Sequence, residues 1–182
     1  MKILLTGGAG FIGSHLVDGL LQLGFEVTVL DNFSTGKQLN LLHHAKKNVK
    51  IIKIDISKNK QLDKYFKDVS YVFHLAGLAS FISSIENPNK YFNSNVVGTF
   101  NVIQAAKRAN IKKFVYTASA SCYGIPDKFP TSENANIRLM HPYAFTKWQA
   151  EELIMHWMQI YNFPAISLRL FNPHPICFSI LR

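Results

Sequence analysis

Short apolar runs alternate along this chain with longer stretches in which apolar residues return every three or four positions. Lys2–Thr6, Glu26–Leu30, Val49–Ile54, Tyr71–His74, Lys113–Ala118 and Ala165–Leu170 are rich in Val, Ile, Leu and aromatic residues and predict six strands. Between them, Phe11–Leu23, Lys58–Lys67, Tyr91–Ala109 and Tyr143–Tyr161 carry the helical period. Strands that are apolar almost throughout belong in a parallel sheet covered on both faces, and right-handed crossovers connect them. The pattern predicts one α/β domain, a doubly wound parallel sheet with helices on both faces. In such a sheet ligands collect where the carboxyl ends of strands meet the amino ends of helices. The unusual residues of the chain stand at those places.

The first strand runs straight into Thr6-Gly7-Gly8-Ala9-Gly10-Phe11-Ile12-Gly13, which opens an amphipathic helix. Without β-carbons, Gly7 and Gly10 let the backbone turn sharply and approach a pyrophosphate. The N–H groups and positive end of the helix meet its charge, Phe11 and Ile12 are candidate cofactor contacts there, and Gly13 lets helix and strand pack closely. A purely structural turn is the alternative. Asp31 ends the second strand about twenty residues on, where a carboxylate can accept both hydroxyl hydrogens of an adenosine ribose; a turn or cap aspartate is the plainer reading. Asn32, Phe33 and Ser34 follow, with no arginine to meet a 2′-phosphate, so NAD is preferred over NADP and Asn32 and Ser34 join the candidate cofactor contacts. Asp55 and Ile56, after the third strand, offer a carboxylate and an apolar side chain to the adenine edge and face.

Tyr143 and Lys147 lie four apart and share one helix face. An ammonium beside a phenol favours the phenolate, so Lys147 is expected to lower the Tyr143 pKa from about 10 toward neutrality and to bind a nicotinamide ribose. A tyrosine poised in this way takes a proton from an alcohol. Upstream, the apolar run Phe114–Ala118 leads into Ser119, Ala120 and Ser121 at the expected carboxyl end of a strand. Ser119 is placed to hydrogen-bond the oxygen that Tyr143 deprotonates.

Composition narrows the field. The chain has 182 residues, 48% of them hydrophobic and 17% charged, which suits a globular domain with a sizeable core. Its formal charge of +9 comes from basic residues scattered in twos, without a run interleaved with aromatics, so no nucleic-acid function is expected. The apolar start gives way to glycines at once and no 18-residue apolar stretch follows, so neither a secretory signal nor a membrane span is expected and a cytoplasmic protein is. Cys122 and Cys177 have no metal-ligand spacing, no metal is expected, and a cytosolic chain keeps both reduced.

The Thr6–Gly13 turn, Asp31, Asp55-Ile56, His74-Leu75-Ala76-Gly77, Asn95 within Asn95–Thr99, Ser119–Gly124, Tyr143–Lys147 and Arg169-Leu170-Phe171-Asn172 together resemble the extended short-chain dehydrogenase/reductases over residues 1–173. The resemblance is strongest toward UDP-hexose 4-epimerases and their UDP-N-acetylhexosamine and lipopolysaccharide-pathway relatives. It implies a Rossmann domain that binds NAD and a nucleotide sugar. Tyr143 would deprotonate the sugar 4-hydroxyl, NAD would take the hydride, and the 4-keto sugar would rotate and receive the hydride on its other face. By position, Ser119 orients the 4-oxygen, Lys147 holds the ribose, Asn95 supports the site, Leu75, Ala76, Gly77 and Ala118 line the cofactor, and Ser121 and Asn172 meet the substrate, Asn172 at its diphosphate. Dehydratases of this family place an Asp-Glu pair where Ala120 and Ser121 stand, and the glucuronate decarboxylases place a Glu at the Ser121 position, so both are disfavoured. His74 and His141 read as structural. Members commonly pair into homodimers through helices corresponding to Tyr91–Ala109 and Tyr143–Tyr161.

Family members continue well past the Asn172 position, whereas residues 174–182 read as an aberrant or truncated tail. The expectation is a nearly complete cofactor half with most of the substrate domain missing, apolar surface exposed, and catalysis by this chain in doubt. Two other functions stay open: a non-catalytic NAD-binding module, and a nucleotide-sugar dehydratase or reductase of the same family, of which the reductase would release NADH or NADPH.

Overall fold

A computed structural model describes residues 1–44, 48–58 and 61–173. Six strands form one sheet: β1 (Lys2–Thr6), β2 (Glu26–Asp31), β3 (Val49–Lys53), β4 (Val69–His74), β5 (Lys113–Ser119) and β6 (Ala165–Leu170). Every pairing is parallel, in the order β3-β2-β1-β4-β5-β6. The order reverses between β1 and β4, the switch point at which the carboxyl-end loops diverge and leave a crevice.

Alternation along the strands divides the core into two layers. Ile3 and Leu5 of β1, with Val27 and Val29 of β2, face α1 (Phe11–Gln22) through Val17 and Leu20. Leu4, Leu30, Val72, Phe114 and Tyr116 point the other way, toward Val102, Ile103, Ala150 and Ile154. Those four residues belong to α4 (Gly98–Arg108) and α5 (Pro142–Tyr161). Two short helices, α2 (Phe81–Glu86) and α3 (Pro88–Tyr91), follow β4, and a π-helical segment, Phe92–Val97, joins α3 to α4.

The predicted helix over Lys58–Lys67 is replaced, among the described residues, by a 3₁₀ turn at Asp63–Tyr65. Leu62 and Phe66 are fully buried, so the apolar four-residue spacing that suggested a helix is satisfied by one tight turn pressed on the core. The predicted helix over Tyr91–Ala109 begins as α3 and passes through the π segment. An added 3₁₀ stretch at Gln38–His44 packs through the fully buried Leu41. Residues 174–182, including Cys177, lie outside the described residues. Beyond β6, an edge strand of the sheet, Phe171 is 63% exposed. Among the described residues no helix is long and apolar enough to cross a membrane, and no three His, Cys, Asp or Glu residues gather as a metal would require.

Candidate functional site

The turn after β1 is shaped by what its glycines exclude. Gly7 has φ +73°, and a β-carbon there would sit 2.6 Å from the Ala76 nitrogen; one on Gly13 would collide with the Gly7 carbonyl. The first glycine brings β1 against the loop after β4, and the other lets α1 start flush with the turn. Gly10 is the N-cap of α1 and has no side chain to cap it. The first turn carries no acidic residue either, so the positive helix end faces a crevice lined by Gly7 and Gly10.

Asp31 closes this crevice from β2. Its Oδ2 accepts a hydrogen bond from the Ala9 nitrogen at 2.9 Å and its Oδ1 accepts from the Phe33 nitrogen at 2.8 Å. The carboxylate thereby braces the glycine turn, while each oxygen keeps a second lone pair for a ligand hydroxyl. Asn32, Ser34, Asp55 and Ile56 line the same cleft with Leu75, Ala76 and Gly77, and its empty volume is about 550 Å³. Asp55 accepts from the Ser57 backbone and hydroxyl; these bonds and contact with Asn32 outweigh desolvation, and its carboxyl sits below the usual range. Thr35, Gly36 and Ser94 also line it, and nothing in their sequence pattern had singled them out.

A second cleft, of about 710 Å³, shares Leu75, Gly77 and Leu78 with the first and continues it toward β5. It gathers Ile12, Ala118, Ser119, Tyr143 and Lys147. Ser119 ends β5 in extended conformation and caps the 3₁₀ turn Ala120–Tyr123. Its Oγ lies 2.8 Å from the Ser121 Oγ and accepts from the Ser121 nitrogen at 3.2 Å. His141 is the N-cap of α5, its Nδ1 accepting from the Ala144 nitrogen at 3.1 Å, and Pro142 occupies the first helical turn. His141 also stacks parallel to the Tyr143 ring, with ring centroids 5.9 Å apart.

Lys147 is buried. Its Nζ donates to the Thr117 carbonyl at 2.6 Å and lies 4.3 Å from the centroid of the Tyr116 ring. Desolvation pulls its pKa from 10.5 down to about 7, against the nearby Glu151 carboxylate, which raises it. Tyr143 departs from the sequence expectation, because its pKa is raised above 10. Burial of the phenol dominates, contact with the Ser119 hydroxyl offsets part of it, and Tyr91 adds to the rise. The expected lowering by Lys147 is not among the causes: the amine is directed to Thr117, and its own charge is weakened by burial.

Four other residues expected at the site do not line the two clefts. Phe11 lines an outer groove with His15, Thr35 and Lys37, while its backbone forms the first position of α1, at the helix end that faces the crevice. Asn172 is exposed beside the cleft residues Phe171 and Pro173. Ser121 reaches Ser119 and does not line the cleft. Asn95, within the π segment, is buried behind the cleft: its Nδ2 donates to the Leu78 carbonyl and to the Thr146 hydroxyl, and its Oδ1 accepts from the Leu78 nitrogen. It holds the cofactor-side loop to α5, and its amide has no hydrogen left for a ligand.

Behind Asn95 runs a relay that sequence reasoning left unassembled. Thr99 donates its hydroxyl hydrogen to the Asn95 carbonyl at 2.6 Å, so at 2.8 Å it can only accept from His74 Nε2. His74 is therefore the Nε2–H tautomer, and its Nδ1 accepts from the Thr6 hydroxyl at 2.6 Å. Complete burial lowers its pKa to about 3 and keeps it neutral. The relay ties β1, β4 and the π segment together at the point where the two clefts meet.

A family model described as the NAD dependent epimerase/dehydratase family matches residues 3–174. The chain belongs to that family. It is 36% identical to a bifunctional UDP-glucose 4-epimerase and UDP-xylose 4-epimerase of Pisum sativum, over 94% of this chain and 52% of the relative. It is 38% identical to a putative UDP-glucose 4-epimerase of Methanocaldococcus jannaschii, over 93% and 55%. This family member thus spans about half the length of the curated relatives it matches. Among solved structures, a UDP-N-acetylglucosamine 4-epimerase from Methanobrevibacter ruminantium superposes with a TM-score of 0.88 at 38% identity, covering 92% of this chain and 54% of that one. A UDP-glucose 4-epimerase from Brucella ovis in complex with NAD gives 0.86 at 31% identity, covering 94% and 52%.

Proposed function

We propose that this chain is the cofactor-binding and proton-transferring half of an NAD-dependent 4-epimerase acting on a UDP-hexose or UDP-N-acetylhexosamine. The observation that carries the reading is the convergence of Ser119, Tyr143 and Lys147 on a cleft continuous with the glycine-turn crevice. The crevice fits the dinucleotide: helix N–H groups for the pyrophosphate, spare carboxylate lone pairs at Asp31 for the ribose, and a Gly7 contact that any side chain would block. Bound there, held by the start of α1, Asp31 and Lys147, NAD would supply the reversible hydride acceptor for the sugar C4.

The protein groups divide the remaining work. Ser119 Oγ orients the 4-oxygen, and Tyr143 Oη takes its proton and later returns it. Tyr143 rests as a phenol because burial raises its proton affinity, and Lys147, its amine anchored at the Thr117 carbonyl beside the cleft, is placed to hold the nicotinamide ribose. Ala120 and Ser121 offer no carboxylic acid to protonate a leaving hydroxyl, which argues against dehydration. The reaction is redox-neutral and releases no reduced cofactor. The protein works in the cytoplasm, where NAD and nucleotide sugars meet, in polysaccharide or lipopolysaccharide precursor supply. It forms a homodimer through α4 and α5, whose outer surfaces expose Phe100, Ile160 and Tyr161.

Calorimetric titration with NAD tests the cofactor reading. Saturable binding that survives Tyr143→Phe is expected; no binding by the folded chain refutes it. Incubation with NAD and UDP-galactose tests the chemistry, with conversion to UDP-glucose expected and lost in Tyr143→Phe. NAD binding without conversion selects the second reading, a NAD-binding module, which the 63% exposure of Phe171 and the exposed Asn172 on the substrate side favour.

A further inference from the structure

Lys147 is a cation in a poor place for one. Its Nζ is buried, donates to the Thr117 carbonyl and lies close to the Tyr116 ring. Among the described residues no carboxylate bonds it directly. One helical turn further along α5, on the face that carries Tyr143 and Lys147, stands Glu151, itself only 5% exposed. A carboxylate this buried requires partners. Glu151 Oε1 accepts from the Ser167 hydroxyl at 2.9 Å, and both carboxylate oxygens accept from Arg169 Nε at 3.1 Å. Arg169 is fixed in turn: its Nη1 donates to the Tyr123 hydroxyl at 2.6 Å and to the Glu133 carbonyl, and its guanidinium stacks against Tyr123 and Trp148.

We propose that Glu151 is the electrostatic positioning residue of the site, its carboxylate, clamped by Ser167 and Arg169, keeping the buried Lys147 amine protonated so that the amine can hold the nicotinamide ribose. This inference rests on the role given to Lys147 above. Helix geometry and burial support it, since a negative charge one turn away in a low-dielectric interior acts with little screening. The other groups around Lys147 cannot take this part. On β5, Tyr116 is a buried phenol whose pKa is driven upward, and on α5 Tyr143 is likewise held neutral. His74 on β4 stays neutral, Tyr91 of α3 is a phenol that bears on Tyr143, and Arg169 on β6 is positive. Arg169 keeps that carboxylate ionised in the interior, because its Nε donates to both oxygens.

The test is NAD affinity measured calorimetrically between about pH 6 and about pH 9 for the wild-type chain, Glu151→Gln, Arg169→Gln and Lys147→Met. The wild type is expected to lose affinity as Lys147 deprotonates with rising pH. In Glu151→Gln that limb moves about one pH unit toward acid, roughly a tenfold loss at a fixed mildly alkaline pH. Arg169→Gln strips the buried carboxylate of its charged partner, favours its protonated form and moves the limb toward acid as well, so the proposal stays testable should either variant fail to fold. Lys147→Met has no limb. Unmoved limbs in Glu151→Gln and Arg169→Gln, with the limb lost in Lys147→Met, overturn this inference and leave the role of Lys147 standing. An identical pH profile in the wild type and Lys147→Met overturns both.

Discussion

Replacing Lys147 by Met should stabilise the chain in mildly acidic solution and destabilise it in alkali. The side chain is only 7% exposed, and its pKa falls from 10.5 to about 7 because burial disfavours the ammonium. Between those values the unfolded chain binds a proton that the folded chain does not, so wild-type stability rises with pH across the window. One pKa unit corresponds to about 1.4 kcal/mol, which makes the full penalty, present below the folded pKa, about 5 kcal/mol. Met has similar length and no charge, and it leaves the Thr117 carbonyl without its 2.6 Å partner, a loss of about 1–3 kcal/mol that does not vary with pH. The variant should therefore exceed the wild type by roughly 2–4 kcal/mol near pH 6 and fall below it by roughly 0–2 kcal/mol near pH 10, where the unfolded-state lysine is still mostly protonated. Urea unfolding without nucleotide, followed by circular dichroism at several pH values, gives the difference directly. Subtracting the two proteins removes the titration of every other group. A stability difference that stays constant from acid to alkali would refute the reasoning, because it would mean that Lys147 is solvated or already paired in the fold.

Four further outcomes are expected. Asp31→Ala removes the group proposed for the adenosine ribose and two backbone bonds of the glycine turn, and NAD affinity measured by calorimetry should fall about 10- to 100-fold, as loss of about 1.5–3 kcal/mol of charged hydrogen bonding implies. Gly7→Ala places a methyl group 2.6 Å from the Ala76 nitrogen at φ +73°; it should lower the urea midpoint by the equivalent of about 2–4 kcal/mol and abolish NAD binding. Asn95→Ala, which strands the Leu78 backbone groups and Thr146, should cost about 2–4 kcal/mol and raise protease sensitivity in the loop after β4. His74, held neutral with a pKa of about 3 against 6.5, contributes stability that is complete above pH 6.5 and is lost as pH falls from there toward 3; His74→Gln should flatten the acid limb of the unfolding curve.

Strand period, helix period and the glycine turn are local properties, and the chain carried them openly. β1 and β6 begin and end where their short apolar runs place them, and α1 starts at the Gly10–Phe11 junction because the glycine turn leaves it nowhere else to start. Lys58–Lys67 misled because one apolar pair four apart serves a 3₁₀ turn as well as a helix, and α2 was unseen because six residues are too few to display a period. The candidate site divides in the same way. Asp31, Ser119, Tyr143 and Lys147 could be found from residue type and spacing, since each stands at a strand end or on one helix face. The Tyr143–Lys147–Glu151 series was equally visible as steps of four, and only the meaning of its third member was hidden.

What the sequence by itself determined is the doubly wound sheet, the place of the crevice and the identity of the groups in it, because these follow from periodicity and from residues whose chemistry suits few other purposes. Tertiary structure alone decided their ionisation and their bracing. Burial raises Tyr143 and lowers Lys147, reversing the expectation that one would simply activate the other. The hydrogen-bonded chains Thr6–His74–Thr99–Asn95 and Ser167–Glu151–Arg169–Tyr123 join residues up to 68 positions apart. Desolvation and long-range pairing depend on which surfaces meet in three dimensions, and no window along the chain contains that information.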